Sequence, residues 1–152
     1  MAIPDTRAEV HRHLEAAPER VFAAFASSAM VARWLSPSPE IPVEVLAYDF
    51  RVDGRYRFGY RVPGAPVMHV NGIFRTISPP GQLTFSWIIE PPDEHAGIES
   101  EVRVTIEAAP GGAVLNILHE RLDRPGATER HAAGWAGALD RLVVLVRSGV
   151  LS

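Results

Sequence analysis

The sequence contains no cysteine. That excludes disulfides, thiolate metal sites and a cysteine nucleophile. It contains no apolar run long enough to span a membrane. Its opening stretch, MAIPDTRAEVHRHLEAAPER, has no apolar segment of the signal-peptide kind. Neither sign of charge is in large excess, with a formal net charge of -3, so nothing calls for nucleic acid or an anionic membrane as a partner. G-x-S-x-G, a glycine-rich phosphate loop, a dinucleotide fingerprint and the H-E-x-x-H pattern are all missing. No cofactor and no metal are therefore expected. The default is a cytoplasmic globular protein. A chain of 152 residues fits one domain, 1–152, which would bury about 70% of the surface its unfolded chain exposes.

What the sequence has in quantity is punctuation. Its 13 prolines and 12 glycines are spread along the chain and predict many short elements joined by turns. Residues 7–14 alternate and read as a strand. Pro18 suits the first turn of a helix, with Val21, Phe22 and Phe25 on its apolar face. Ser28 is placed to cap a second short helix that Pro37 ends. The segment 36–42, SPSPEIP, is a stiff loop.

From residue 43 the period becomes two. Residues 43–50 form a strand, and Asp53-Gly54 is the strongest hairpin signal in the chain. Next, Tyr56, Phe58, Tyr60 and Val62 share one face, with Arg55, Arg57 and Arg61 on the other. Residues 67–77 return, and Gly72 marks an expected bulge where the alternation slips. Leu83, Phe85, Trp87 and Ile89 line one face of the following strand. Residues 98–108 and 113–122 complete the series, with Leu115, Ile117 and His119 sharing a face.

Thr128 is placed to cap a final helix. On that helix His131, Trp135, Ala138, Leu139, Leu142, Leu145 and Val146 fall in one arc. The expected class is α+β: a curved antiparallel sheet of six to seven strands wrapped around a long C-terminal helix, with two short helices after the first strand.

Three stretches carry a resemblance: AAPERVFAAFASSAMVARWL, DFRVDGRYRF, and LHERLDRPGATERHAAGWAGALDRL with its H-x-x-G-W opening to the last helix. In order and spacing they resemble the helix-grip (START-like, SRPBCC, birch-pollen-allergen-like) superfamily. More narrowly, they resemble the homologues of the activator of the ninety-kilodalton heat-shock chaperone's ATPase. The likeness spans about residues 7 to 148. It implies a cavity between the long helix and the sheet, and a small apolar or aromatic ligand as partner. A homodimer is implied only because such folds often form one. Eukaryotic activators carry a large extra N-terminal domain for which this chain has no room, so a chaperone partner is doubtful.

The candidate ligand-binding residues are Trp34, Tyr56, Phe58, Tyr60, Phe74, Phe85, Trp87, His119, His131 and Trp135. Aromatic side chains with polar tips suit a pocket that is apolar yet places a few hydrogen bonds. The loop 36–42 and the turns near 63–66 and 91–97 are its candidate rims. Each residue has a plainer reading as well. Trp135 with Gly134 is a packing unit in which the glycine lets the helix approach the sheet. His131 bonds a neighbouring carbonyl, and His119, at a strand end, is half exposed. Glu90, Asp93 and Glu94 read as exposed loop carboxylates. His11 and His13 share a strand face but lack a third ligand.

Two other classes of function stay open. One is an enzyme of cyclase or hydrolase type with His131 or His119 as acid or base. The other is a stress-related protein-interaction module.

Overall fold

The computed structural model describes residues 6–149. Its elements run β1 (Ala8–Leu14), α1 (Pro18–Ala26), α2 (Ser28–Trp34), β2 (Val43–Tyr48), β3 (Arg55–Tyr60), β4 (Met68–Ser78), β5 (Gln82–Ile89), β6 (Glu99–Ala109), β7 (Gly112–Glu120) and α3 (Ala127–Arg147). The strands form one seven-stranded sheet in the order β1-β7-β6-β5-β4-β3-β2, with every pairing antiparallel. After β1 the chain crosses through α1 and α2 to the far edge. It then meanders back strand by strand until β7 lies beside β1.

The predicted alternation appears as alternating burial in β6 and β7 but not in the central strand β5, where Thr84 and Ser86 are buried along with Leu83, Phe85 and Trp87. From Ser100 to Ile106 on β6 and throughout β7 every second residue is buried, including Val102, Val104, Ile106, Leu115 and Ile117. The other face carries ion pairs, Arg57 with Glu90, Arg61 with Glu44 and Arg75 with Glu99. α3 covers the apolar face with His131, Trp135, Ala138, Leu139, Leu142 and Val146. Leu145 is only half-buried, because it falls at the edge of that arc.

Four local expectations are corrected. Ser27, one residue earlier than expected, caps α2 by accepting from the Met30 amide. α3 is preceded by Gly126 in the left-handed region at the cap position, so Thr128 lies inside the helix rather than at its cap. Asp53, also left-handed at φ 66, ends a wider connection over residues 49–54 rather than a two-residue turn. The bulge expected at Gly72 lies between Phe74 and Thr76, against β5. Gly72 is required for another reason: a Cβ there would sit 2.6 Å from the Tyr56 hydroxyl and closer still to the Ser86 carbonyl.

α1 and α2 plug one end of the covered face. Phe22, Phe25, Val31 and Trp34 are buried there, with Phe25 edge-on to Trp34 at 5.0 Å. At the opposite end the helix and sheet stand apart.

Candidate functional site

At that open end lies a cavity of about 560 Å³, within the range of small-molecule sites. The sheet contributes the ends of its strands: Tyr60 from β3, Met68 from β4, Trp87 and Ile89 from β5. α3 contributes its first turns, from Arg130 to Ala138, and the loop after α2 contributes Leu35, Ser36, Pro37 and Ile41. The floor is buried. Pro37, Ile41, Val62, Met68 and Ala133 are partly or fully exposed and form the mouth. The proline-rich loop is therefore a rim, as is Val62 before the 63–66 turn.

The loop at 36–42 is seated firmly. Arg141 on α3 donates to the Ser36 hydroxyl and to the Arg33 carbonyl. The loop packs so closely on α3 that a Cβ at Gly137 would lie 2.8 Å from the Pro37 carbonyl carbon. Gly134 differs: a Cβ there would meet nothing within 4 Å, and the residue lines the cavity. The expectation that Gly134 lets the helix approach the sheet is thus corrected. That role belongs to Gly137 and the loop.

Of the ten candidates, Tyr60, Trp87, His131 and Trp135 line the cavity. The other six do not. Tyr56, Phe58, Phe74 and Phe85 pack on one another with centroids 4.8 to 6.0 Å apart. The void among them, about 10 Å³, holds at most one water. They lie further along the strands, where α1 and α2 fill the space. Trp34 is fully buried and donates to the Ala24 carbonyl at 3.0 Å. His119, expected to be half exposed, is fully buried behind Trp135.

His119 sits in a chain of hydrogen bonds with one sense. Trp135 Nε1–H, a donor only, donates to His119 Nδ1 at 3.0 Å. Nε2 must then carry the proton, and it donates to Ser100 Oγ at 2.7 Å. The Ser100 hydroxyl donates in turn to the Trp87 carbonyl at 2.7 Å. Burial holds the His119 pKa well below that of an ordinary imidazole, and His131 adds to this. Both nitrogens are occupied, so His119 ties α3 to β6 and β5 and has no site left for acid–base chemistry.

His131 is different. Its Nδ1–H donates to the Ala127 carbonyl at 2.7 Å, since a carbonyl only accepts. Nε2 therefore holds a lone pair, and it bonds to no described residue. Burial pushes this pKa down; the Ala127 bond opposes that shift and the Arg130 charge adds to it. The ring is neutral and borders the cavity.

A charged cluster at the mouth was not foreseen. Arg130 grips Asp93 with two bonds of 2.7 Å and also donates to His95 Nδ1 and Met68 Sδ. His95 Nε2–H donates to the Pro125 carbonyl. The Arg130 bonds, with burial opposing, hold the Asp93 pKa at about 2. Asp93 and Glu90 are thus half-buried partners of Arg130 and Arg57, not free loop carboxylates; only Glu94 is exposed. The 91–97 turn reaches the site through this cluster. No local pattern signals it, because its members come from three separate segments.

His11 and His13 are exposed on β1, and His13 bonds the Pro110 carbonyl. Among the described residues no group of three or more His, Cys, Asp or Glu is placed to hold a metal. No helix among them is long and apolar enough to cross a membrane.

A seven-stranded antiparallel sheet gripping a long C-terminal helix, with a cavity between them, defines the helix-grip, START-like class. Residues 15–147 match the family described as Activator of Hsp90 ATPase homolog 1-like protein, and the chain belongs to that family. A solved Chromobacterium violaceum protein is similar at 26% identity and TM-score 0.80, over 93% of this chain and 97% of that one. The AHSA1 protein of Silicibacter pomeroyi is 25% identical, with TM-score 0.82 over 94% of this chain and 99% of that one. An AHSA1-like protein of Aeromonas hydrophila shares the fold at 22% identity and TM-score 0.75, over 96% and 95% of the two chains. No curated protein matches the sequence.

Proposed function

We propose that this protein binds a small, mainly apolar, neutral molecule in the cavity between α3 and the sheet. The observation that carries the reading is the cavity itself: about 560 Å³ and walled mostly by apolar side chains. A void of this size forfeits packing contacts that a folded core normally makes, so an occupant would restore them. The exposed large hydrophobics do not compete for this role. Leu46, Val52, Val67 and Val144 sit on four different segments, and scattered single residues of this kind need no partner.

Native mass spectrometry of gently purified protein tests the reading. A reproducible added mass, lost on denaturation, is expected. A bare protein mass together with no uptake of apolar fluorescent probes would remove it.

A second reading, catalysis in the same cavity, is favoured by one observation. His131 presents a neutral ring with an unused Nε2 lone pair, the state a general base needs. Under this reading His131→Ala abolishes turnover of a bound substrate. Under the first it changes affinity alone.

A further inference from the structure

Most polar side chains of the cavity wall already have partners inside the protein. The Ser36 hydroxyl donates to the Ser38 carbonyl and accepts from Arg141. Trp135 Nε1–H is taken up by His119. Arg130 gives its terminal N–H groups to Asp93, His95 and Met68, and Asp93 offsets its charge. Trp87 Nε1–H is unpaired but sealed beneath the surface, out of a ligand's reach.

The Tyr60 hydroxyl and His131 Nε2 remain. They bond to no described residue, and neither is sealed as Trp87 Nε1 is. Their residues are only 4% and 9% exposed, and both line the cavity. Tyr60 comes from the end of β3 on the sheet, and His131 from near the start of α3. A molecule filling the space between sheet and helix meets one on each side. An apolar occupant would leave both unpaired, which is costly. The two make different demands. His131 carries its proton on Nδ1, so Nε2 can only accept. Burial pushes the Tyr60 pKa up, so its hydroxyl keeps its proton and can donate.

We infer that the ligand is a neutral molecule with an apolar body that carries a hydrogen-bond donor for His131 Nε2 and an acceptor for the Tyr60 hydroxyl, as an alcohol or an amide does. A carboxylate has no proton for Nε2, and the wall offers it no unmatched cation. The inference rests on the cavity-binding reading above and names the polar groups of the ligand.

Four probes on one skeleton test it by titration calorimetry at neutral pH. Indane has no polar group, 1-indanone accepts only, 1-indanol accepts and donates, and indane-1-carboxylate is an anion. In the unmodified protein 1-indanol should bind about threefold to tenfold tighter than 1-indanone, and the carboxylate weakest. In His131→Phe the indanol-to-indanone ratio falls to about one, a readout that mere loosening of the fold would not move. In Tyr60→Phe both weaken about threefold to tenfold relative to indane, with their ratio unchanged. That variant removes a hydroxyl that no described residue uses, so indane binding stays as it was. Equal binding of 1-indanol and 1-indanone to the unmodified protein overturns the donor assignment, as does a ratio unchanged in His131→Phe. No selective weakening in Tyr60→Phe overturns the acceptor assignment, and a preference for the carboxylate overturns neutrality. All of these leave the cavity reading standing. Uptake of none of the four removes the cavity reading and this inference together.

Discussion

The same methyl group added at two positions of α3 should have opposite effects on stability. Gly134 and Gly137 lie three residues apart on one helix. Replacing a mid-helix glycine by alanine gains about 1 kcal/mol of helix propensity wherever the methyl fits. At 134 it meets nothing within 4 Å, so Gly134→Ala should raise Tm by about 2–4 °C for a chain of this size. At 137 the methyl would lie 2.8 Å from the carbonyl carbon of Pro37 and closer still to its oxygen. The loop cannot retreat freely, because Arg141 holds Ser36 and the Arg33 carbonyl. Overpacking against backbone costs about 3 kcal/mol. After the propensity gain the net loss is about 2 kcal/mol, or about 4–8 °C in Tm. Thermal melts followed by circular dichroism read both. A fall in Tm for Gly134→Ala would mean that atoms fill the space beside that residue, and the cavity as described would be refuted. A neutral Gly137→Ala would refute the seating of the loop on α3.

Other consequences concern pH and packing. His119 and His131 have pKa values lowered in the folded state, so below about pH 6.5 the unfolded chain takes protons first. Stability is therefore full above that pH. It declines on acidification by about 1.4 kcal/mol per pH unit for each ring, until the folded-state pKa is reached. Asp93, held at about 2 by Arg130, acts lower: its contribution is present above the ordinary carboxylate pKa and is lost only as pH falls from about 4 to 2. Urea melts across pH 7 to 5 that show constant stability would contradict the buried neutral imidazoles. Arg130→Met leaves a half-buried Asp93 unpaired. It should cost about 1–3 kcal/mol and shift acid unfolding to higher pH, both measurable in urea melts as a function of pH. Trp34→Phe orphans the Ala24 carbonyl in the core and should lower stability by about 1–3 kcal/mol. Trp34 does not line the cavity, so uptake of an apolar fluorescent probe should not change; a clear loss of uptake would show that the packing around α2 and the cavity are coupled.

The class of fold was legible in the sequence because it depends on periodicity. Period two in residues 43–120 and one apolar arc on residues 127–147 demand a sheet and a helix that cover each other. The aromatic faces were legible for the same reason, and all of those strand aromatics are buried. What periodicity cannot say is how far along a strand the cover fits tightly. Phe58 and Tyr60 share a face of β3, yet Phe58 is packed into the core while Tyr60 borders the cavity. The difference is set by α1 and α2, which close one end of the face and leave the other open. His119 and His131 were likewise indistinguishable as buried-face histidines. Only tertiary structure places Trp135 and Ser100 on the two nitrogens of one ring and leaves Nε2 of the other unpaired. The Arg130, Asp93 and His95 cluster was invisible for a related reason: hydrogen bonds are short-ranged, and these residues meet only after the chain has folded. Sequence alone therefore determined which side chains turn inward. Tertiary packing decided which of them are sealed in the core and which face empty space, because that depends on the fit between elements far apart in the chain.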